Sequence, residues 1–138
     1  MQVDRAMAVN PSIDLQACVT GLDRLVNRMY DQHFVRLLNR KLKELRQNVS
    51  EVPIPDKYGR PRRLFEFDDC YTAPVAGFGD ARNYYLRCSA TQFIPRIQTQ
   101  TLILTASDDP LVPVQSFEQL TLPEQVQVKR TTIEQLSH

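Results

Sequence analysis

The stretch 101-TLILTASDDPLVP-113 decides how the rest of the chain is read. Thr101 to Ala106 form a near-continuous apolar, β-rich run, which suits a strand covered on both faces, as in a parallel sheet. The run ends in Asp108, Asp109 and Pro110, and a proline has no N–H with which to continue a ladder. Ligands of open parallel sheets bind beyond the carboxyl ends of the strands. Two carboxylates at such an end therefore have two readings. One of them orients a histidine and stabilises the imidazolium that forms when a nucleophile loses its proton. Alternatively they do turn chemistry, because Asp before Pro is frequent in loops and at helix starts.

Working outward, 114-VQSFEQL-120 reads as a crossover helix and 125-QVQVKRTT-132 as a second strand. Val126, Val128 and Arg130 recur at a period of two, the mark of a strand more exposed on one face. Strand, helix, strand in that order predicts a right-handed parallel unit. Upstream, 5-RAMAVN-10 is a third strand that stops at Asn10-Pro11. In 12-SIDLQACV-19, Ser12 is a candidate helix cap, and Gly21 is placed to interrupt or end that helix.

The strongest periodic signal is 22-LDRLVNRMYDQHFVRLLNRKLKELRQ-47. Leu22, Leu25, Val26, Met29, Tyr30, Phe34, Leu37, Leu38, Leu42 and Leu45 recur at steps of three and four, which predicts one continuous helix with an apolar face. Arg24, Arg28, Arg36, Arg40, Lys41, Lys43 and Arg46 occupy the other face. They would either bind anions or a membrane surface, or simply be solvated. Asp23, Asp31 and Glu44 dilute the charge and favour the solvated face. Residues 48–63 collect Pro53, Pro55, Gly59 and Pro61 and read as a loop. The segment 64–97 is less regular. Gly77 and Gly79 frame a turn at Phe78, Asp80 can cap a short helix bearing Tyr84, Tyr85 and Leu86 with Cys88 near its end, and Pro95 closes the segment.

With 138 residues, 42% apolar, the chain is the size of one small domain. A net charge of +1 gives no global field for nucleic acid or an anionic membrane. Cys18, Cys70 and Cys88 are widely spaced, odd in number and without a C-x-x-C pair, against both a disulfide framework and a zinc site. They suit a reducing, cytoplasmic setting. No apolar run approaches the roughly 18 residues of a membrane span, and the first residues lack the apolar stretch of a signal peptide. No metal or cofactor, no nucleic-acid partner and no integral membrane segment is expected.

The chain has two histidines, His33 and His138. His33 lies inside the long helix beside Phe34 and reads as structural. His138 follows the strand that follows the acid strand, the order acid-then-histidine found in alpha/beta hydrolases. A nucleophile elbow needs G-x-S-x-G, and none of Ser12, Ser50, Ser89, Ser107, Ser116 or Ser137 has those glycines.

The string 67-FDDCYTAPVAGFGDARNYYLRCSATQFIPRIQTQTLILTASDDPLVP-113 resembles the YheT-like alpha/beta hydrolases, predicted serine esterases and lipases. The shared pattern is F-D-D, T-A-P, G-F, Y-Y-x-x-C-S, F-I-P-x-I and T-L-I-L before the acid. Residues 6–19 and 29–43 are similar to that family's earlier strand and cap helices. The resemblance implies an α/β class: a partial alpha/beta-hydrolase fold with about three parallel strands, the last of the sheet, and a helical cap insertion. All of 1–138 is then the C-terminal part of a hydrolase domain, with cap helices over approximately 12–97, the acid strand at 101–106 and the last strand at approximately 125–132.

By the same resemblance Asp109 is the triad acid, chosen over Asp108 because the acid comes last in a small-x-x-D turn, here 106-ASDD-109. His138 aligns with the histidine of the family's E-Q-G-G-H-x-G-F ending, here 134-EQLSH-138. Leu136 and Ser137 replace two glycines, Gln100 stands where proline is usual, and the half bearing the oxyanion loop and serine elbow has no counterpart in these residues. The family implies carboxylic ester hydrolysis on a small ester or acylglycerol. The isolated chain is expected to be inactive unless an N-terminal half complements it. A non-catalytic remnant or interaction module is the alternative. Loss of neighbouring strands would leave 5–10 as an exposed edge prone to association.

Overall fold

The computed structural model describes residues 3–49 and 59–132. Three strands, β1 (Arg5–Val9), β2 (Gln100–Ala106) and β3 (Val126–Thr131), form one sheet in the order β1-β2-β3, and both pairings are parallel. Three parallel strands with several helices make a mixed α/β architecture, as the resemblance implied. The chain divides into two compact units, Met1–Gly21 with Ser89–His138, and Leu22–Cys88.

In the sheet unit, β2 is central. Its register sets Thr101 opposite Val126 and Ile103 opposite Val128. Ile103 and Val126 pack in the buried cluster with Ile13, Ile94, Val112 and Phe117. The next residue along the strand points the other way. That opposite face carries Met7, Val9, Leu102, Leu104, Gln127 and Lys129. Met7 and Val9 are 63% and 67% exposed, and Leu102 and Leu104 are half-buried. Among the described residues, then, β2 is covered on one face, where the apolar run predicted two. The apolar run records what the strand is able to bury, and here the covering segments lie on one side. No described strand pairs with the outer edge of β1.

Helix α1 (Leu15–Leu22) starts at Asp14, whose Oδ1 accepts the Ala17 N–H at 2.9 Å. Ser89 Oγ accepts the Leu15 N–H at 3.0 Å. The cap is therefore Asp14 with help from Ser89, and not Ser12. Gly21 lies inside α1 instead of ending it. The β2-to-β3 connection contains only one turn of helix, Gln115–Glu118, shorter than the 114–120 read from sequence.

In the helical unit, a 3₁₀ turn (Leu25–Asn27) precedes α2 (Arg28–Asn48). The helix is thus broken near Asp23–Arg24 and is not continuous from Leu22. Its orientation also departs from the apolar stripe. Asp31, Val35 and Leu42 are buried, while Leu25, Val26 and Met29 are 81–83% exposed. Polar contacts set the rotation: Asp31 Oδ1 accepts the Leu64 N–H at 2.8 Å, and Asn39 Nδ2 donates to the Pro61 carbonyl at 2.9 Å. A buried polar group must find such a partner, and that requirement outranks a stripe of leucines.

Helix α3 (Leu64–Phe67) runs through a π turn (Asp68–Thr72) into α4 (Ala73–Val75). Pro74 has no N–H for the usual bond four residues back, and the wider turn absorbs that loss. The adjacent carboxylates of F-D-D are both buried and act as a clamp. Tyr85 OH donates to Asp68 Oδ2 at 2.7 Å, and the Ala81 N–H donates to Asp69 Oδ1 at 2.9 Å. Both donors lie on α5 (Ala81–Cys88), which Asp80 caps through the Asn83 N–H as expected. Gly77 and Gly79 take φ of 78° and 82°, the left-handed region that glycine enters without penalty. No described helix is long and apolar enough to cross a membrane.

Candidate active site

The carboxyl ends of the three strands meet at one rim of the sheet. On one side of β2, the Ser107 N–H donates to the Thr131 carbonyl at 2.8 Å, which holds the ends of β2 and β3 together. On the other side, the Asn10 N–H donates to the Leu104 carbonyl at 2.8 Å, and Asn10 Oδ1 accepts the Ala106 N–H at 2.8 Å. Asn10 does this at φ 43°, a conformation asparagine tolerates better than most residues.

From this rim the chain turns at Ser107 and Asp108 to Asp109, whose N–H reaches back to the Ala106 carbonyl at 3.4 Å. Asp109 Oδ1 accepts two backbone donors, Leu111 N–H at 2.7 Å and Val112 N–H at 2.9 Å. Pro110 contributes no donor of its own, so both bonds come from the residues just beyond it. Val112 sits in the buried cluster, which anchors this turn to the core. Asp109 is half-buried and Asp108 is exposed. Asp109 thus does turn chemistry itself. One of its oxygens fixes the loop, and among the described residues no donor reaches the other. A carboxylate restrained in this way at a strand exit is suited to hold an imidazole in one tautomer and orientation.

His138 lies outside the described residues. His33 sits on α2 with its ring 6.3 Å from that of Phe34, edge to face. Cys18, near Asp109, is poorly suited to act as a nucleophile. Burial pushes its thiol up, the Ser12 hydroxyl opposes this, and the Asp14 and Asp109 carboxylates add to it. A thiol with a raised pKa stays protonated and inert. Ser89 is occupied as the acceptor at the start of α1. Among the described residues no group of His, Cys, Asp and Glu is placed to hold a metal ion.

Two residues that matter here were not singled out from sequence. Asn10 follows a strand and precedes a proline, a weak signal for a residue that closes a ladder with its side chain. Ser89 serves a helix 74 residues away in sequence, for which no local signal exists.

The architecture is a partial alpha/beta-hydrolase fold. Among known proteins, the chain is 34% identical over 134 residues to "Putative esterase YheT" of Escherichia coli, an alignment covering 95% of this chain and 39% of that protein. It is 31% identical over 118 residues to "Monoacylglycerol lipase" of Saccharomyces cerevisiae, covering 80% of this chain and 26% of the yeast protein. Over 47 residues it is 43% identical to the yeast "Medium-chain fatty acid ethyl ester synthase/esterase 2", 34% of this chain and 10% of that one. These similarities support an alpha/beta-hydrolase esterase family for the chain, which spans well under half the length of the relatives it matches. No family model and no solved structure matches it.

Proposed function

We propose that this chain supplies the acid and histidine portion of a serine ester hydrolase, with Asp109 as the acid and His138 as the general base. The observation that carries the reading is Asp109 itself, fixed through Oδ1 at the carboxyl end of the central strand. The similarity to an esterase and a lipase over most of the chain supports it. The end of β3 lies beside the same rim, and His138 is six residues beyond Thr132 in sequence.

In this reading a serine hydroxyl attacks the ester carbonyl while His138 takes its proton, and Asp109 stabilises the resulting imidazolium. The proton then passes to the leaving alkoxide, and water repeats the sequence to release the acid. In this reading the serine and the oxyanion donors come from polypeptide outside these 138 residues, in keeping with the lack of a G-x-S-x-G elbow around any of the six serines. The substrate is a small carboxylic ester or an acylglycerol.

The test pairs the purified chain with a polypeptide that carries H-G-G and G-x-S-x-G segments. Turnover of short-chain nitrophenyl esters should appear only in the mixture or fusion. Equal turnover by the chain alone, unchanged in Asp109→Asn and His138→Ala, would show surface chemistry or contamination and sink the proposal.

A second reading, a non-catalytic interaction module, is favoured by the sheet face and the β1 edge that no described residue or strand covers. Under that reading the chain associates through Met7 and Val9. Lysine at both positions should return it to a monomer in gel filtration, with no gain or loss of esterase activity in any mixture.

A further inference from the structure

The helical unit contains a groove of about 1010 Å³ between α2 and the facing segment 60–66. Arg28 and Arg36 line one wall and Arg60, Arg62 and Arg63 the other, against two carboxylates among the described residues, Asp31 and Glu66. Both carboxylates are engaged by backbone. Asp31 Oδ1 accepts the Leu64 N–H, and Glu66 Oε2 accepts the Arg62 N–H at 2.8 Å. Arg63 pairs with Asp23. Among the described residues no carboxylate lies within ion-pair distance of Arg28, Arg36, Arg60 or Arg62.

The groove is also built to hold its shape. Asn39 Nδ2 donates to both the Val35 carbonyl of α2 and the Pro61 carbonyl, each at 2.9 Å, and Pro61 is buried. This bridge ties the backbone between Arg60 and Arg62 to the helix. Guanidinium groups on two walls of one groove repel one another, and an anion between them relieves that repulsion. The planar fork of arginine matches the oxygens of phosphate two at a time. A monocarboxylate balances one of four such charges, whereas a phosphate monoester carries close to two.

We propose that this groove binds a phosphate-bearing anion. The site is lined by residues of 28–39 and 60–66 and does not depend on the ester-hydrolase reading. Two sources share the chemistry, a soluble phosphate compound and a phospholipid headgroup. The exposed Leu25, Val26 and Met29, next to Arg28 in the chain, offer apolar contact for the second.

The test titrates the full chain with pyrophosphate by calorimetry, and sediments it with phosphatidylcholine vesicles with or without phosphatidylglycerol. Saturable binding is expected, weakened at least ~10-fold in Arg36→Gln/Arg60→Gln, because each lost charge-assisted contact is a substantial share of affinity. Arg36→Lys/Arg60→Lys, which keeps the charge but not the fork, should fall between, and Arg82→Gln on α5 should bind as the parent does. Binding of pyrophosphate assigns a soluble source, and binding of phosphatidylglycerol vesicles alone assigns the headgroup. Absence of saturable binding to both probes, or equal weakening in Arg82→Gln, overturns the proposal.

Discussion

Asp109 Oδ1 accepts the backbone N–H of Val112 at 2.9 Å, and Val112 is 5% exposed in the core beneath β2. The same oxygen takes the Leu111 N–H. The proposed acid is thus a structural part of its own loop. Removing it should cost stability as well as activity. Asp109→Ala leaves two backbone donors without their acceptor and should destabilise the chain by about 1–2 kcal/mol. Asp109→Asn keeps an oxygen in place and should lose less. Urea unfolding of the two variants separates a loop-holding role from a chemical one, since only the asparagine variant preserves the turn.

Asn10 is the corresponding tie between β1 and β2. Asn10→Ala removes the acceptor of the Ala106 N–H and leaves a less tolerant residue at φ 43°. A loss of about 1–3 kcal/mol in urea unfolding is expected from the unsatisfied donor and the strained backbone. An effect within experimental error would mean that the β1 end is not held as described.

Thr105 is fully buried on β2, and its hydroxyl has no hydrogen-bond partner among the described residues. Replacing it with the isosteric valine removes a buried polar group that gains little in the fold. Thr105→Val should leave stability unchanged or raise it, by up to ~1 kcal/mol, in the same measurement.

The F-D-D clamp predicts a pH dependence. Burial lifts the Asp68 carboxyl above its ordinary 3.8, with the Tyr85 and Thr72 hydroxyls opposing. Burial likewise lifts Asp31, against the Leu64 N–H. The folded chain then holds protons that the unfolded chain has already released. Between 3.8 and the raised folded values, these groups make stability fall as pH rises, and above that window their contribution is level. Asp68→Asn retains an acceptor for Tyr85 and removes one titrating group. Its urea midpoint should decline less across that window than the parent's, and an identical decline would refute the assignment.

The strands were legible in the sequence because apolar side chains at a period of one or two have few other uses. The acid strand read as 101–106 is found at Gln100–Ala106, and the first and last strands agree to within a residue or so at each end. The long helix was legible as a helix but not in its rotation. Asp31 and Asn39 face inward because their partners, Leu64 and Pro61, lie 33 and 22 residues further along. Leu42 of the expected stripe is buried, but Leu25, Val26 and Met29 are left outside. Ser12 had the right chemistry for a cap, but Asp14 stands one residue before the helix and wins by position. At the strand exit the acid and turn readings stood as alternatives, while Asp109, the residue the resemblance picks as the acid, also performs the turn with one oxygen. His138 falls outside the described residues, so its place in the site rests on the resemblance and on chain order.

The most direct test of the account is kcat for ester hydrolysis by the complemented chain, compared between the parent and Asp109→Asn under conditions where both are folded. If Asp109 orients and stabilises the histidine, the substitution should lower kcat by several orders of magnitude, up to roughly 10⁴-fold, with little change in KM. A kcat equal to the parent's would contradict the assignment of Asp109 as the catalytic acid.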